Sequence, residues 1–312
     1  MNICFWGVRG SIGTALKNSE VELKIEEALR LGVKAGLRED SQVSAFMQEL
    51  PWYVRQTAGG DTACVEITAG DERLIMDAGS GIRPLGLKLI QDSGGNPIKV
   101  AILLSHTHWD HICGIPFFVP GFNPRNTITV YGAHSNLEER LRDQQDSRFF
   151  PVPLPSTFKV VQLSGNDHFT VGDVEIETIP LKHPGDSFGY RLTHNGKTVV
   201  YATDSEYKDL STEALKPFVD FFQSADLVIY DAQYTMVENV EKENWGHSNM
   251  FTGIDMAIEA GVKRMVFTHH DPVCDDKRLG DFFQKAEEYL RMYAPSGGPL
   301  IYLAYEGLGF TL

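Results

Sequence analysis

Only four of the 312 residues are cysteine, and no two of them form a C-x-x-C pair. Cys4, Cys64, Cys113 and Cys274 are scattered along the chain, which excludes a disulfide scaffold or zinc knuckle and fits thiols kept reduced in a cytoplasm. Cys113 and Cys274 lie close in sequence to candidate site residues, where packing is the expected role and oxidation sensitivity the sharper one. No apolar run approaches the roughly 18 residues that a membrane span needs. The start, Met1-Asn2-Ile3-Cys4-Phe5-Trp6, lacks the basic region and hydrophobic stretch of a signal peptide. A cytoplasmic protein without a membrane partner is therefore expected. Basic residues are also scarce: 28 Lys and Arg face 42 Asp and Glu, a formal charge of −14. Even the densest basic stretch, Arg140, Arg142 and Arg148, is interleaved with Glu138, Glu139, Asp143 and Asp146. Gripping a long polyanion takes a cationic stripe, so large nucleic acids are disfavoured as partners, whereas a small phosphodiester is not. Apolar residues are plentiful, at 42% against 22% charged, enough for one large α/β domain over residues 1–312.

The densest chemical signal is His106-Thr107-His108-Trp109-Asp110-His111, directly after the apolar run Ala101-Ile102-Leu103-Leu104. Four potential metal ligands in six residues at the mouth of a strand are poorly explained by packing. Two His spaced two apart on an extended segment point the same way; the following Asp and His can turn toward a second ion. Imidazole and carboxylate suit Zn²⁺, Mn²⁺ or Fe²⁺, and two such ions can share a hydroxide.

This H-x-H-x-D-H motif resembles the signature of the metallo-β-lactamase superfamily of binuclear metallohydrolases. The resemblance implies three further ligands downstream, each at a strand end: His183 in Pro180-Leu181-Lys182-His183-Pro184, Asp204 after Val199-Val200-Tyr201-Ala202-Thr203, and His269 after Arg264-Met265-Val266-Phe267-Thr268. His270 is the neighbouring alternative; the family's strand-Thr-His pattern selects His269. By resemblance, His106, His108 and His183 hold one metal ion, Asp110, His111 and His269 the other, and Asp204 bridges them. Two divalent ions, with Zn²⁺ expected and Mn²⁺ or Fe²⁺ equally suited by the donors, are the implied cofactors. The superfamily's zinc β-lactamases commonly carry Cys at the bridging position, and its oxygen-reducing di-iron members carry Glu for the second His of the motif; neither change is present.

Further segments are similar to the phosphodiesterase-like branch, which includes cyclic-phosphate hydrolases and, more distantly, ribonuclease Z. They are Phe5-Trp6-Gly7-Val8-Arg9-Gly10-Ser11-Ile12, Gly59-Gly60-Asp61-Thr62-Ala63-Cys64-Val65-Glu66, Asp77-Ala78-Gly79-Ser80-Gly81-Ile82-Arg83 and Ala304-Tyr305-Glu306-Gly307. Asp61 stands where that branch usually has Asn. Asp77 resembles a buried carboxylate that orients a ligand His; shaping the Gly-rich turn is its other reading. Trp245-Gly246-His247-Ser248-Asn249 resembles an element that supplies a His to the scissile phosphate, while its bland reading is a capping Ser beside an incidental His. Asp231, at the end of the preceding strand, is a candidate partner for His247. Ribonuclease Z carries a long tRNA-binding arm between its third-motif His and the bridging Asp; here only 21 residues separate His183 from Asp204, enough for two strands and a turn.

These features predict a four-layer αββα sandwich, with an antiparallel run of strands from Phe158 to Ala202. The implied activity is hydrolysis of a small or cyclic phosphodiester by a metal-bridging hydroxide, with Asp110 and His247 as catalytic residues. The same ligands also suit a thioester or lactone hydrolase of glyoxalase II type, or a non-catalytic di-iron sensor. Residues 13–56 depart from the family pattern as a helical insertion, with helices over Ser19–Gly32 and Ser41–Leu50. Val21, Ile25, Ala28 and Leu29 share one face at helical spacing, either packed on the outer layer or serving as a lid or homodimer contact.

Overall fold

Alternating side chains decide which face of each outer strand is buried. In the computed structural model, which describes residues 1–295 and 297–312, Val174 and Ile176 point inward while Glu175 and Glu177 point to solvent. Leu227–Asp231, by contrast, is buried throughout, as expected of a strand covered on both faces.

The strands β1 (Asn2–Gly7), β2 (Cys64–Ala69), β3 (Glu72–Met76), β4 (Lys99–Leu103), β5 (Thr127–Gly132) and β6 (Phe158–Gln162) lie side by side in chain order. A second sheet follows the same rule with β7 (His168–Val171), β8 (Val174–Leu181), β9 (Ser187–His194), β10 (Lys197–Ala202), β11 (Leu227–Asp231), β12 (Arg264–Thr268) and β13 (Leu300–Leu303). The last strand, β14 (Gly309–Thr311), returns to the first sheet and pairs antiparallel with β1. Pairing is parallel from β3 to β6 and from β10 to β13, and antiparallel elsewhere. The expected antiparallel run from Phe158 needs correction: β6 pairs parallel with β5 in the first sheet, and the antiparallel run begins only at β7. Pairing direction follows from the route of the connection, which the composition of Phe158–Gln162 does not encode.

Between the sheets, Phe5, Ile67, Leu74, Met76 and Leu103 meet Ile176, Leu192, Val199 and Ile229 in one core. Each such side chain contributes about 1.5–3 kcal/mol when fully buried. The helices are α1 (Asn18–Lys34), α2 (Asp40–Glu49), α3 (Trp52–Arg55), α4 (Ile82–Ser93), α5 (Trp109–Ile112), α6 (Leu137–Gln144), α7 (Thr212–Phe222), α8 (Met236–Glu241), α9 (Met250–Glu259) and α10 (Asp276–Tyr293). Ile82, Leu85 and Leu89 of α4 and Leu137 and Leu141 of α6 cover the outer face of the first sheet. Phe218 and Phe222 of α7 with Ile254 and Ala257 of α9 join the core of the second. The result is the αββα sandwich of the metallo-β-lactamase fold.

The insertion forms α1 and α2 close to the expected bounds. Its apolar face, however, does not pack on the body. A side chain at Gly32 would meet Leu37 and Phe46, so that side of α1 faces α2, while Val21, Ile25 and Leu29 remain exposed. Glu20, Lys24 and Glu27 instead line a cavity of about 630 Å³ shared with residues 272–277. Among the described residues, no helix is long and apolar enough to cross a membrane.

Candidate metal centre

Strand ends from both sheets deliver the site. His106 and His108 follow β4, Asp110 and His111 sit on the short α5, His183 follows β8, Asp204 follows β10 and His269 follows β12. Three of these turns are tight enough to force the left-handed backbone region on residues other than glycine: Asp77 (φ 58°), Asp204 (φ 62°) and His269 (φ 62°). Asp and His tolerate that region better than most side chains, and such strain concentrates where surrounding structure fixes a functional group.

Two groups of ligating atoms result. His106, His108 and His183 converge in one; Asp110, His111, Asp204 and His269 converge in the other. Asp204 stands between them. Its Oδ2 is 3.6 Å from His106 Nε2, 3.8 Å from His183 Nε2 and 3.4 Å from His111 Nε2, and its Oδ1 is 3.2 Å from His269 Nε2. Asp110 Oδ2 lies 3.2 Å from His111 Nε2 and 3.0 Å from His269 Nε2, and accepts the Ser11 N–H at 2.7 Å.

The tautomers test whether a cation fits. His111 Nδ1 donates to Asp77 Oδ2 at 2.7 Å and His269 Nδ1 to Gln233 Oε1 at 2.9 Å. Each ring therefore presents an Nε2 lone pair, and the two Nε2 atoms face each other at 3.1 Å. Similarly, His183 Nδ1 donates to Gly246 O at 2.8 Å, turning its Nε2 toward His108 Nδ1 at 3.0 Å. Among the described residues, His106 Nε2 and Asp204 Oδ1 are buried without a hydrogen-bond partner. Acceptors crowded against acceptors in a buried site call for positive charge. Neutral imidazoles and carboxylates of this kind suit divalent Zn, Mn or Fe.

Protonation follows the same division. Burial, reinforced by neighbouring imidazoles, pushes His106, His108 and His183 below the ordinary histidine range, so they are neutral donors. Burial also opposes charge on His111 and His269. There the carboxylates of Asp110 and Asp204 outweigh it, raising His111 well above its ordinary value and His269 to about 9. The attraction that holds a proton there is the attraction offered to a metal ion.

Asp77 is the hub behind the first motif. Fully buried, it accepts His111 Nδ1–H, the Ser105 N–H (2.7 Å), the Ser105 hydroxyl (2.8 Å) and the Tyr201 hydroxyl (2.7 Å). It thus orients His111 and ties β3 to β10 across the sheets. Asp61 accepts the Ser80 hydroxyl at 2.7 Å, securing the Gly-rich turn from the other side. Cys113 packs its Sγ 3.6 Å from Thr62 Oγ1, and burial pushes its thiol up, away from reactivity.

Of the adjacent pair, His269 enters the cluster. His270 turns the other way and donates from Nε2 to Ala304 O at 2.9 Å. Burial and the nearby Arg9 lower it to about 3. His247 is held by Asp231, Nδ1 to Oδ2 at 2.9 Å, with its ring stacked 5.0 Å from that of His269 and tilted 5.2 Å from that of His183. The helix cap beside it is Asn249, whose Oδ1 accepts from Phe251 N and Thr252 N, while Ser248 Oγ pairs with Tyr230 OH. The capping-Ser reading is therefore replaced. Asp204, Asp231, His247 and His269 also lie close enough together to share an ion, but Asp231 already accepts from His247 and from Gln233 N.

Several positioning groups escaped the sequence reading. Gln233 and Ser11 act on ligands as described. Glu206 accepts Asn244 N and Gly246 N at 3.0 and 3.2 Å, fixing the loop whose carbonyl orients His183. Gly246 has φ +86°, and a Cβ there would sit 2.1 Å from His183 Nδ1; glycine lets the loop approach His183. The sequence signal was present in Gly10-Ser11 and in polar Gln233 just past a strand end, but their targets are distant in the chain.

A family model for a beta-lactamase superfamily domain matches residues 72–270. The chain belongs to the beta-lactamase superfamily. With its His/Asp clusters it is a metallo-hydrolase of that superfamily. It is 27% identical over 240 residues to the metallo-β-lactamase fold protein YhfI of Bacillus subtilis (strain 168), covering 70% of this chain and 87% of YhfI. The crystal structure of YhfI superposes with a TM-score of 0.63 at 19% identity over 99% of this chain and 98% of that one. A diphosphatase of the PhnP family (TM-score 0.59, 16% identity, 99% and 96% coverage) shares the fold. So does the short form of human tRNase Z (0.59, 16%, 100% and 99%).

Asp204→Ala removes the carboxylate that touches both groups, so at least one equivalent of bound metal should be lost in elemental analysis, together with activity; two retained equivalents would show that Asp204 bridges nothing. For pH, metal must displace the proton that His269 keeps up to about pH 9. Apparent metal affinity should therefore rise between about pH 6.5 and about pH 9, with proton release on binding. The sign reverses for the metal-free protein: the raised His269 stabilises it fully below about pH 6.5, and that contribution is lost as pH rises through about 9. Isothermal titration in buffers of differing ionisation enthalpy, with melting of the metal-free protein across this range, checks both.

Proposed function

We propose that this chain is a binuclear metal-dependent phosphodiesterase acting on a small or cyclic phosphodiester. The observation that carries the reading is the His247–Asp231 pair: an imidazole beside both ligand groups, anchored by a buried carboxylate at 2.9 Å and distinct from the seven ligand residues. His106, His108 and His183 would hold one ion, Asp110, His111 and His269 the second, with Asp204 shared. When bound, the ions supply Lewis acidity, stabilising charge on phosphoryl oxygens and acidifying water.

The residues outside that set manage the leaving group. Cleavage of a phosphodiester leaves an alkoxide that needs a proton, and imidazoles committed to metal cannot give one. His247 Nδ1–H is directed at Asp231, so a proton held at Nε2 passes to the departing oxygen while Asp231 keeps the ring oriented. Stacking on His269 fixes the ring plane. Substrate size is limited by two features. The formal charge of −14 provides no grip on a long polyanion, and the stretch from His183 to Asp204 is used by β9, β10 and their turn, leaving no arm. Two structural neighbours also carry names of enzymes that cut phosphate linkages. Zn²⁺ is the expected ion.

The test is metal analysis followed by a panel of bis-p-nitrophenyl phosphate, 2′,3′- and 3′,5′-cyclic nucleotides, and thioesters. Phosphodiester turnover is expected; turnover of thioesters alone would assign acyl chemistry instead, and none with any metal would favour a sensor. His247→Ala should retain both metals yet lose about 10²–10⁴-fold in kcat on alkoxide leaving groups. The loss on p-nitrophenyl esters should be smaller, because p-nitrophenolate departs unprotonated. Equal losses on both would reassign His247 to phosphate binding.

A further inference from the structure

Helix α1 is amphipathic with its apolar side outward. Val21, Ile25, Leu29 and Val33, spaced four apart along one ridge, are 39%, 55%, 66% and 82% exposed. Its charged side faces inward: Lys24 Nζ lies 2.8 Å from Asp276 Oδ2 and donates to Gln56 O, while Glu20 and Glu27 line the neighbouring cavity. A helix held in place by its charges, with an apolar ridge in water, has the surface expected of an interaction site.

We propose that this ridge pairs with the same ridge of a second copy of the chain, the two α1 helices antiparallel about a two-fold axis. Charge along the helix selects this occupant. Along the helix Glu20, Glu22, Glu26 and Glu27 precede Arg30 and Lys34, while Lys24 is turned inward to Asp276. Glu22, Glu26 and Arg30 form the row flanking the apolar ridge, four residues apart. In an antiparallel pair equivalent flanks face each other, which sets Arg30 of one copy against Glu22 and Glu26 of the other. An isologous contact of this kind closes on itself. Among the described residues of a single copy, Arg30 reaches only Glu26, at 2.6 Å on an exposed surface, so both are free to exchange partners. A helix of this length spans about 25 Å, and one helix pair falls at the small end of specific interfaces, below about 1,200 Å². The dimer is therefore reversible.

Sedimentation velocity of the full chain from about 1 to about 100 µM, a range suited to weak interfaces, should show mass rising from 34.8 kDa toward twice that value. Leu29→Glu should remain monomeric throughout. Arg30→Glu should weaken association at least about tenfold, and adding Glu22→Arg to it should restore pairing. Far-ultraviolet circular dichroism and metal content should match wild type in each variant, since these side chains are exposed in the single copy. A wild-type chain monomeric throughout overturns the proposal. So does a dimer that survives Leu29→Glu, which places the interface elsewhere, or a monomer that floats with phospholipid vesicles, which makes the ridge a lipid contact.

Discussion

The fold depends on one electrostatic demand: lone pairs from two sheets meet at a buried point and must share positive charge. His111 and His269 show it most directly, since each donates its Nδ1 proton to a fixed acceptor and both then aim lone pairs at the same space. Without metal, protons meet the demand, which is why these two imidazoles are basic while the other three are not. The same carboxylates serve both states. Left-handed backbone at Asp77, Asp204 and His269 is the local cost of bringing them there.

Support for the ligands comes from behind, and mostly from single atoms. Asp77 accepts four hydrogen bonds and so leaves His111 one orientation. Gln233 does the same for His269, and the Gly246 carbonyl for His183. Orientation set by such partners matters to a metal site as much as the ligands themselves. His247 belongs to this arrangement in geometry but not in role: its Nδ1 lies 3.9 Å from Asp204 Oδ2 but is held by Asp231 at 2.9 Å, so it faces that carboxylate as a donor.

Much of this was legible in the sequence because its signals are local. The H-x-H-x-D-H run needs only a strand before it, and strands such as Arg264–Thr268 carry β-branched and aromatic residues in an unbroken run. Other elements were hidden for physical reasons. Thr212–Phe222 holds Pro217 in its interior, which breaks the pattern by which a helix is read. Gly309–Thr311 is only three residues long and exists as a strand because β1 offers an edge. The direction of β6 is a property of its connection. Ser11 and Gln233 find their targets 99 and 36 residues away, distances at which side-chain type says little about contact. On the insertion, periodicity correctly placed Val21, Ile25 and Leu29 on one side of a helix, but periodicity alone does not say which side faces the protein.

The division of the ligands between the sheets has a mechanical meaning. His106, His108, Asp110 and His111 ride on the first sheet, and His183, Asp204 and His269 on the second, so neither half of the chain carries all of the candidate ligands. Tyr201 reaching Asp77 is a rivet between the same two layers, placed just behind the ligands. Shearing one sheet over the other by the width of a side chain would separate donors that now lie within about 4 Å of one another. An ion seated there would act as a clasp on the sandwich, and its occupancy would report whether the two halves of the molecule are in register.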